Sequence, residues 1–361
     1  LIEDITAPPR TTGFNPERLS EFHVTQEALD LAYSLGINRK TVDVLSSQHV
    51  SLRDMRFNDL IYKPNAYTKY VEELMTRYCK HLNKQSIMLK TSDNIGEGII
   101  EYGSRFGGEK IHLYRRYKNW TDFEDLIPDI NNLNSKIPNK NFNIGGRSGG
   151  YWMDGLAGKK VNRPTLIING KQTSSVDFPC SHLNLCYRHE TGSWYQQETY
   201  NELKAESREY EDGYIVSTKI DRALTKHMIQ LMLNVKSKSA VSKIFNEWLL
   251  EEGNDEHNYN KLNSGYETIE IQEEILKHHY KIKDYFYKGK IAGQVISWEE
   301  ANLMFNIADQ YIREHNITTL TVHDELIVQE EHQPLAREFM FTSGHNETCS
   351  KYSVMSMIKD L

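Results

Sequence analysis

The stretch Thr321-Val322-His323-Asp324-Glu325-Leu326-Ile327-Val328 sets a His and two acids between two apolar runs. That alternation reads as two short strands with a polar tip, where Asp324 and Glu325 would be held rigidly at a strand end. A second stretch, Leu166-Ile167-Ile168-Asn169-Gly170-Lys171, carries the Asn-Gly pair that marks a tight hairpin, and the returning strand delivers Asp177. Two carboxylates ~4 Å apart repel by roughly 4 kcal/mol at an effective dielectric of 20. Divalent cations remove that repulsion, and a pair of them can activate one oxygen and stabilise another in phosphoryl transfer. The plainer alternative is two exposed turn acids.

Composition bounds the rest. The 361 residues are 39% hydrophobic and 26% charged, which fits a globular chain able to bury a core rather than a disordered one. No run of 18 apolar residues exists, so no membrane span is expected. No signal peptide is read, and a chain starting at Leu1 rather than Met is expected to lack its natural start. The four cysteines, Cys79, Cys180, Cys186 and Cys349, are too scattered for a disulfide scaffold, so a reducing, cytoplasmic setting is expected. With a net charge of -7, any contact with nucleic acid must use locally concentrated basic residues.

Along the chain, Pro16 and Gly36 bracket a ragged helical pattern, and a stronger one runs from Asn65 to Leu82. Residues 111–114 could form a strand, and 120–133 look helical. Gly145-Gly146-Arg147-Ser148-Gly149-Gly150 reads as a loop, or as a cradle in which Arg147 holds a phosphate. One long helix is expected over 221–248, with Leu224, Met228, Leu231 and Val235 on one stripe and Arg222, Lys226, Gln230, Leu233 and Asn234 opposite. Between Lys219 and Lys243 lie six Lys or Arg against the single acid Asp221, either a basic binding stripe or a solvated face. Residues 251–265 look like an exposed loop and 266–287 like a helix, with Gly289 and Gly293 as interruptions. Ser297-Trp298-Glu299-Glu300 has the form of a capping box opening another helix, which Asn316 ends. A short helix and a tail follow Pro334.

Three blocks thus stand in a fixed order: Asp177-Phe178-Pro179-Cys180-Ser181-His182-Leu183, then Arg222-Ala223-Leu224-Thr225-Lys226, then Val322-His323-Asp324-Glu325-Leu326. This order resembles motifs A, B and C of the family A DNA polymerases and the related single-subunit phage-type RNA polymerases. The third block leans to the DNA polymerase side, and Gly146-Arg147 is similar to an element those enzymes set near template and primer. The resemblance covers roughly residues 145–330. It implies an α/β (α+β) fold: a right-hand polymerase palm over 145–361 with inserted fingers at about 200–290, after a mostly helical region 1–144, a reduced thumb or accessory. It implies template-directed nucleotidyl transfer, with Asp177 and Asp324 as ligands of two Mg²⁺ ions, which Mn²⁺ could replace. Arg222 and Lys226 would grip the triphosphate, with Gln230 and Asn234 further along the same nucleotide face. Glu325 would be an auxiliary acid, His323 a support at the primer end and Arg147 a backbone contact. His182 falls where DNA polymerases block the ribose 2′-hydroxyl, which favours deoxynucleotides. Primer–template and nucleoside triphosphates are the implied partners, in a bacterial, phage or mobile-element setting.

The departures are specific. The family's fingers helix carries an aromatic residue and then Tyr-Gly, where this chain has Gln230, Asn234 and Val235. Pro179 replaces a usual polar residue. An RNA polymerase or primase-like enzyme and a catalytically idle, nucleic-acid-binding polymerase fold are the alternatives. A further rival is zinc held by Cys180, His182, Cys186 and His189, although their spacing matches no common zinc pattern.

Overall fold

The computed structural model describes residues 49–53, 59–91, 98–102, 111–118, 142, 144–149, 166–178, 180–195, 213–342 and 355–360, all within one compact unit, Gln48–Leu361. These form a mixed α and β structure. In chain order the elements begin with strands β1 (Val50–Arg53) and β2 (Asp59–Leu60), helix α1 (Ala66–Leu82), then β3 (Ile87–Thr91), β4 (Gly98–Tyr102), β5 (Tyr114–Lys118) and β6 (Gly145–Gly149). Strands β7 (Leu166–Ile168) and β8 (Lys171–Asp177) lead into helix α2 (Ser181–Thr191). Helices α3 (Arg222–Asn234), α4 (Lys238–Leu249), α5 (Asp255–Ser264), α6 (Thr268–His278) and α7 (Lys290–His315) precede β9 (Leu320–Val322), β10 (Glu325–Gln329) and α8 (Gln333–Thr342).

One sheet has six strands in the order β4-β3-β7-β8-β10-β9, with every neighbouring pair antiparallel. The other has four, β2-β1-β5-β6, and its β1–β5 pair is parallel. Asn169 and Gly170 take φ of 52° and 79°, the positive values that a tight hairpin between β7 and β8 demands. Helix α1 starts on an Asn65–Thr68 capping box and turns Tyr67, Val71, Leu74, Tyr78 and Leu82 inward at helical spacing.

Helix α7 is the hub. Ile291, Val295, Trp298, Leu303, Phe305, Ala308 and Tyr311 lie on several of its faces and all are buried, so it runs through the interior rather than along the surface. It packs against β6, α2, α3, α8 and β9. Gly293 permits the approach to α3: a Cβ there would stand 1.8 Å from Asn234 Oδ1. Gly293→Ala is therefore expected to cost about 1–3 kcal/mol in urea denaturation, and Asn234→Ala in the same chain to recover most of it.

Several expectations need correction. The described part of the 1–144 region holds five strands as well as one helix, and β5 pairs with β6 across position 144. Of the expected strand 111–114, only Tyr114 belongs to β5. Within the glycine-rich stretch, Gly145–Gly149 is a strand, not a loop. Gly146 has φ of 72°, and a Cβ there would come within 2.5 Å of the Tyr117 ring, so tight packing of β6 on β5 is what needs glycine.

The long helix is two helices. Asp221 caps α3 by accepting from Ala223 and Leu224 N–H, Val235 is extended, and Ser237 caps α4. Leu233, expected on the polar side, is buried. Residues 255–264 form a helix with no buried residue, opened by Asp255 and Glu256 and closed by Gly265 at φ 71°. The 266–287 helix stops at His278, and Tyr280–Tyr285 is a 3-10 turn. Gly289 is the N-cap of α7 and Gly293 lies inside it, so Ser297–Glu300 caps nothing. The expected helices at 16–36 and 120–133 lie outside the described residues.

Candidate functional site

Strands β8 and β10 run side by side with Asp177 opposite Glu325. The next residue, Phe178, donates its N–H to the Asp324 carbonyl at 2.8 Å. Asp177 and Asp324 therefore end adjacent strands as neighbours. The β9–β10 turn has two residues, His323 and Asp324, and His323 adopts φ of 55° because so tight a hairpin needs a positive φ. Asp177 is exposed, Asp324 is half-buried and Glu325 is buried. Burial first, then the charges of Glu300 and Asp177, raise the Asp324 carboxyl to about 6. Among the described residues no Lys or Arg forms an ion pair with Asp177 or Asp324. Their mutual repulsion is left for something else to neutralise.

Beside this pair sits an acid that the sequence did not single out. Glu300 projects from α7 with its side chain 4% exposed. Its Oε1 accepts from Ser181 Oγ at 2.6 Å, and its Oε2 accepts from Arg147 Nη2 at 2.9 Å. His182 Nε2 approaches Oε1 to 3.3 Å, an ion-pair distance without the alignment of a hydrogen bond. Burial alone would raise the Glu300 carboxyl. His182, Arg147 and the Ser181 hydroxyl outweigh it and hold the group near 2, ionised. Two expected site residues, Arg147 and His182, thus meet through a third. In sequence Glu300 looks like the last residue of a capping box. The available signal was its place on a helix whose apolar residues, Ile291, Val295, Trp298, Leu303 and Phe305 among them, are buried on several faces.

Arg222 and Lys226 sit one turn apart at the start of α3, both exposed. The Arg222 guanidinium and the Lys226 ammonium lie 5.3 and 5.8 Å from the ring centre of Tyr214, a residue that sequence reasoning missed. Gln230 is exposed on the same helix. Asn234 turns back, donating to the Gln230 carbonyl at 2.7 Å, with its side chain against Gly293. The structure uses Asn234 to join two helices.

The acid pair suits a hard cation. Mg²⁺ takes oxygen ligands and is satisfied by one or two carboxylates when waters and substrate phosphates complete its shell. No group of three or more His, Cys, Asp or Glu converges on one point among the described residues. The four residues of the zinc alternative are engaged elsewhere: Cys180 and Cys186 are buried, burial pushes the Cys186 thiol far up, His182 faces Glu300, and His189 bonds the Tyr285 hydroxyl. No helix among the described residues is long and apolar enough to cross a membrane. Compared with family models, curated proteins and solved structures, the chain matches none.

Proposed function

We propose that the protein is a template-directed nucleotidyltransferase that extends a primer with deoxynucleotides, the six-stranded sheet serving as palm and α3–α6 as fingers. One observation carries this reading. The β8–β10 ladder makes neighbours of Asp177 and Asp324, two acids from distant segments with no Lys or Arg ion-paired to either among the described residues. On this reading they hold Mg²⁺, which supplies charge neutralisation and an activated oxygen. Arg222 and Lys226 bind the triphosphate and offset charge that develops on it during transfer. The His182 imidazole abuts the sugar, Arg147 contacts the nucleic-acid backbone through its exposed edge, and Glu325 and His323 support the primer end.

A second reading, an idle polymerase fold that only binds nucleic acid, draws on α3. Where a base-stacking ring is expected, Gln230 is exposed and Asn234 is spent on helix packing. Primer extension with Mg²⁺, run with dNTPs and rNTPs on DNA and RNA templates, separates the two. Extension with dNTPs is expected. Preference for rNTPs would turn the assignment to an RNA polymerase or primase, and binding without extension by any nucleotide would favour the idle fold.

A further inference from the structure

Glu300 combines features that a merely structural acid has no need of. It is buried and ionised, which is costly unless several donors compensate it, and an apolar side chain of similar size would hold α7 in place more cheaply. Its partners come from two separate segments: Arg147 on β6 and Ser181 at the start of α2 donate to it, and His182 beside Ser181 lies at ion-pair distance. Two of these partners keep part of their surface exposed: the Arg147 side chain is 45% exposed and that of His182 is 18% exposed. Glu300 therefore holds each by one edge while part of each side chain stays exposed. It also adds negative charge next to an acid pair that already repels, a disfavoured arrangement that the fold retains.

We infer that Glu300 is a positioning residue of the nucleotide site, which fixes the His182 imidazole and the Arg147 guanidinium in one arrangement and thereby sets discrimination between deoxyribose and ribose. This rests on the polymerase reading above. The Ser181 hydroxyl and Arg147 fix the carboxylate plane by occupying both of its oxygens, so the imbalance left at Oε1 points to Nε2 of His182. With that charge removed, the imidazole loses its anchor and swings among rotamers, and a swinging ring bars a 2′-hydroxyl poorly. Catalysis with the natural nucleotide depends on the two aspartates and is affected less.

The test compares kcat/KM for dNTP and rNTP incorporation by the full chain in wild type, Glu300→Gln, Glu300→Asp, His182→Gly and the Glu300→Gln/His182→Gly double variant. Glu300→Gln is expected to lower the dNTP:rNTP preference about tenfold, through a lower KM for rNTP. The double variant should match His182→Gly alone, because both changes act through one ring. Glu300→Asp keeps the charge but withdraws it by one methylene, so it should fold like wild type and still lose part of the preference. That variant decides the matter if Glu300→Gln unfolds. Unchanged preference in the folded Glu300 variants, or losses that add in the double variant, would overturn the inference. A wild-type chain that extends with neither nucleotide class would instead sink the polymerase reading from which it starts.

Discussion

Asp177→Asn and Asp324→Asn should each cut primer extension by at least about a thousandfold, which corresponds to about 4 kcal/mol of lost transition-state stabilisation. Asn is nearly isosteric with Asp, and it keeps one carbonyl oxygen while losing the charge. Because Asp177 is exposed and Asp324 only half-buried, neither change opens a cavity, and the ladder bonds between β8 and β10 are backbone to backbone. Folding should survive in both variants, so the loss isolates the chemistry. Nucleic-acid affinity in the absence of metal should not fall, since removing a negative charge beside the proposed nucleic-acid site favours phosphate. The double variant should be scarcely worse than either single one, as expected of two groups that act as a unit. Extension that persists at near wild-type rate in Asp177→Asn and in Asp324→Asn would end the polymerase assignment.

How far this site was legible in the sequence depended on whether a signal was local. Asn169-Gly170 and the Thr321–Val328 pattern are short-range chemistry, and both hairpins formed where expected. The pairing of β8 with β10 joins segments far apart along the chain, and only the order of the three blocks pointed to it. Glu300 was misread because Ser-x-x-Glu has the same local form at a helix start and in a helix interior. Burial of α7 between sheet and helices decides which it is. The Gly145–Gly149 strand was misread because glycine is a poor strand former, and its reason is an aromatic ring on the neighbouring strand. Gln230 and Asn234 were expected together on a nucleotide face, whereas contact with Gly293 turns Asn234 to another use. In each case the missing information was which neighbour the tertiary fold would supply.

The second large effect follows from the raised Asp324 carboxyl, and its sign is opposite to that of an ordinary paired acid. Its value rises from 3.8 to about 6 through burial, Glu300 and Asp177, so between those pH values the folded chain binds more protons than the unfolded one. Stability of the metal-free protein must then fall as pH rises through this window, and the full cost, about 3 kcal/mol at most, is present above it. Glu300 behaves in the reverse sense. Its lowered value means that its contribution is complete above 4.5 and lost as pH falls toward 2. Asp324→Asn should accordingly raise the melting temperature of the metal-free chain at pH 8 and have almost no effect at pH 4, where the wild-type carboxyl is already neutral. Mg²⁺ should narrow the gap at pH 8 by stabilising wild type alone, since a ligand that binds only the folded state adds to its stability. Protons and metal compete for one oxygen pair, so the apparent affinity for Mn²⁺, followed by titration calorimetry, should weaken about tenfold for each pH unit below about 6. An Asp324→Asn chain that melts below wild type at pH 8 without metal, or a Mn²⁺ affinity flat from pH 5 to 8, would mean that these acids do not face one another as a strained cation site. On the polymerase reading, the same strain that lowers the metal-free chain's stability would favour binding of a divalent ion.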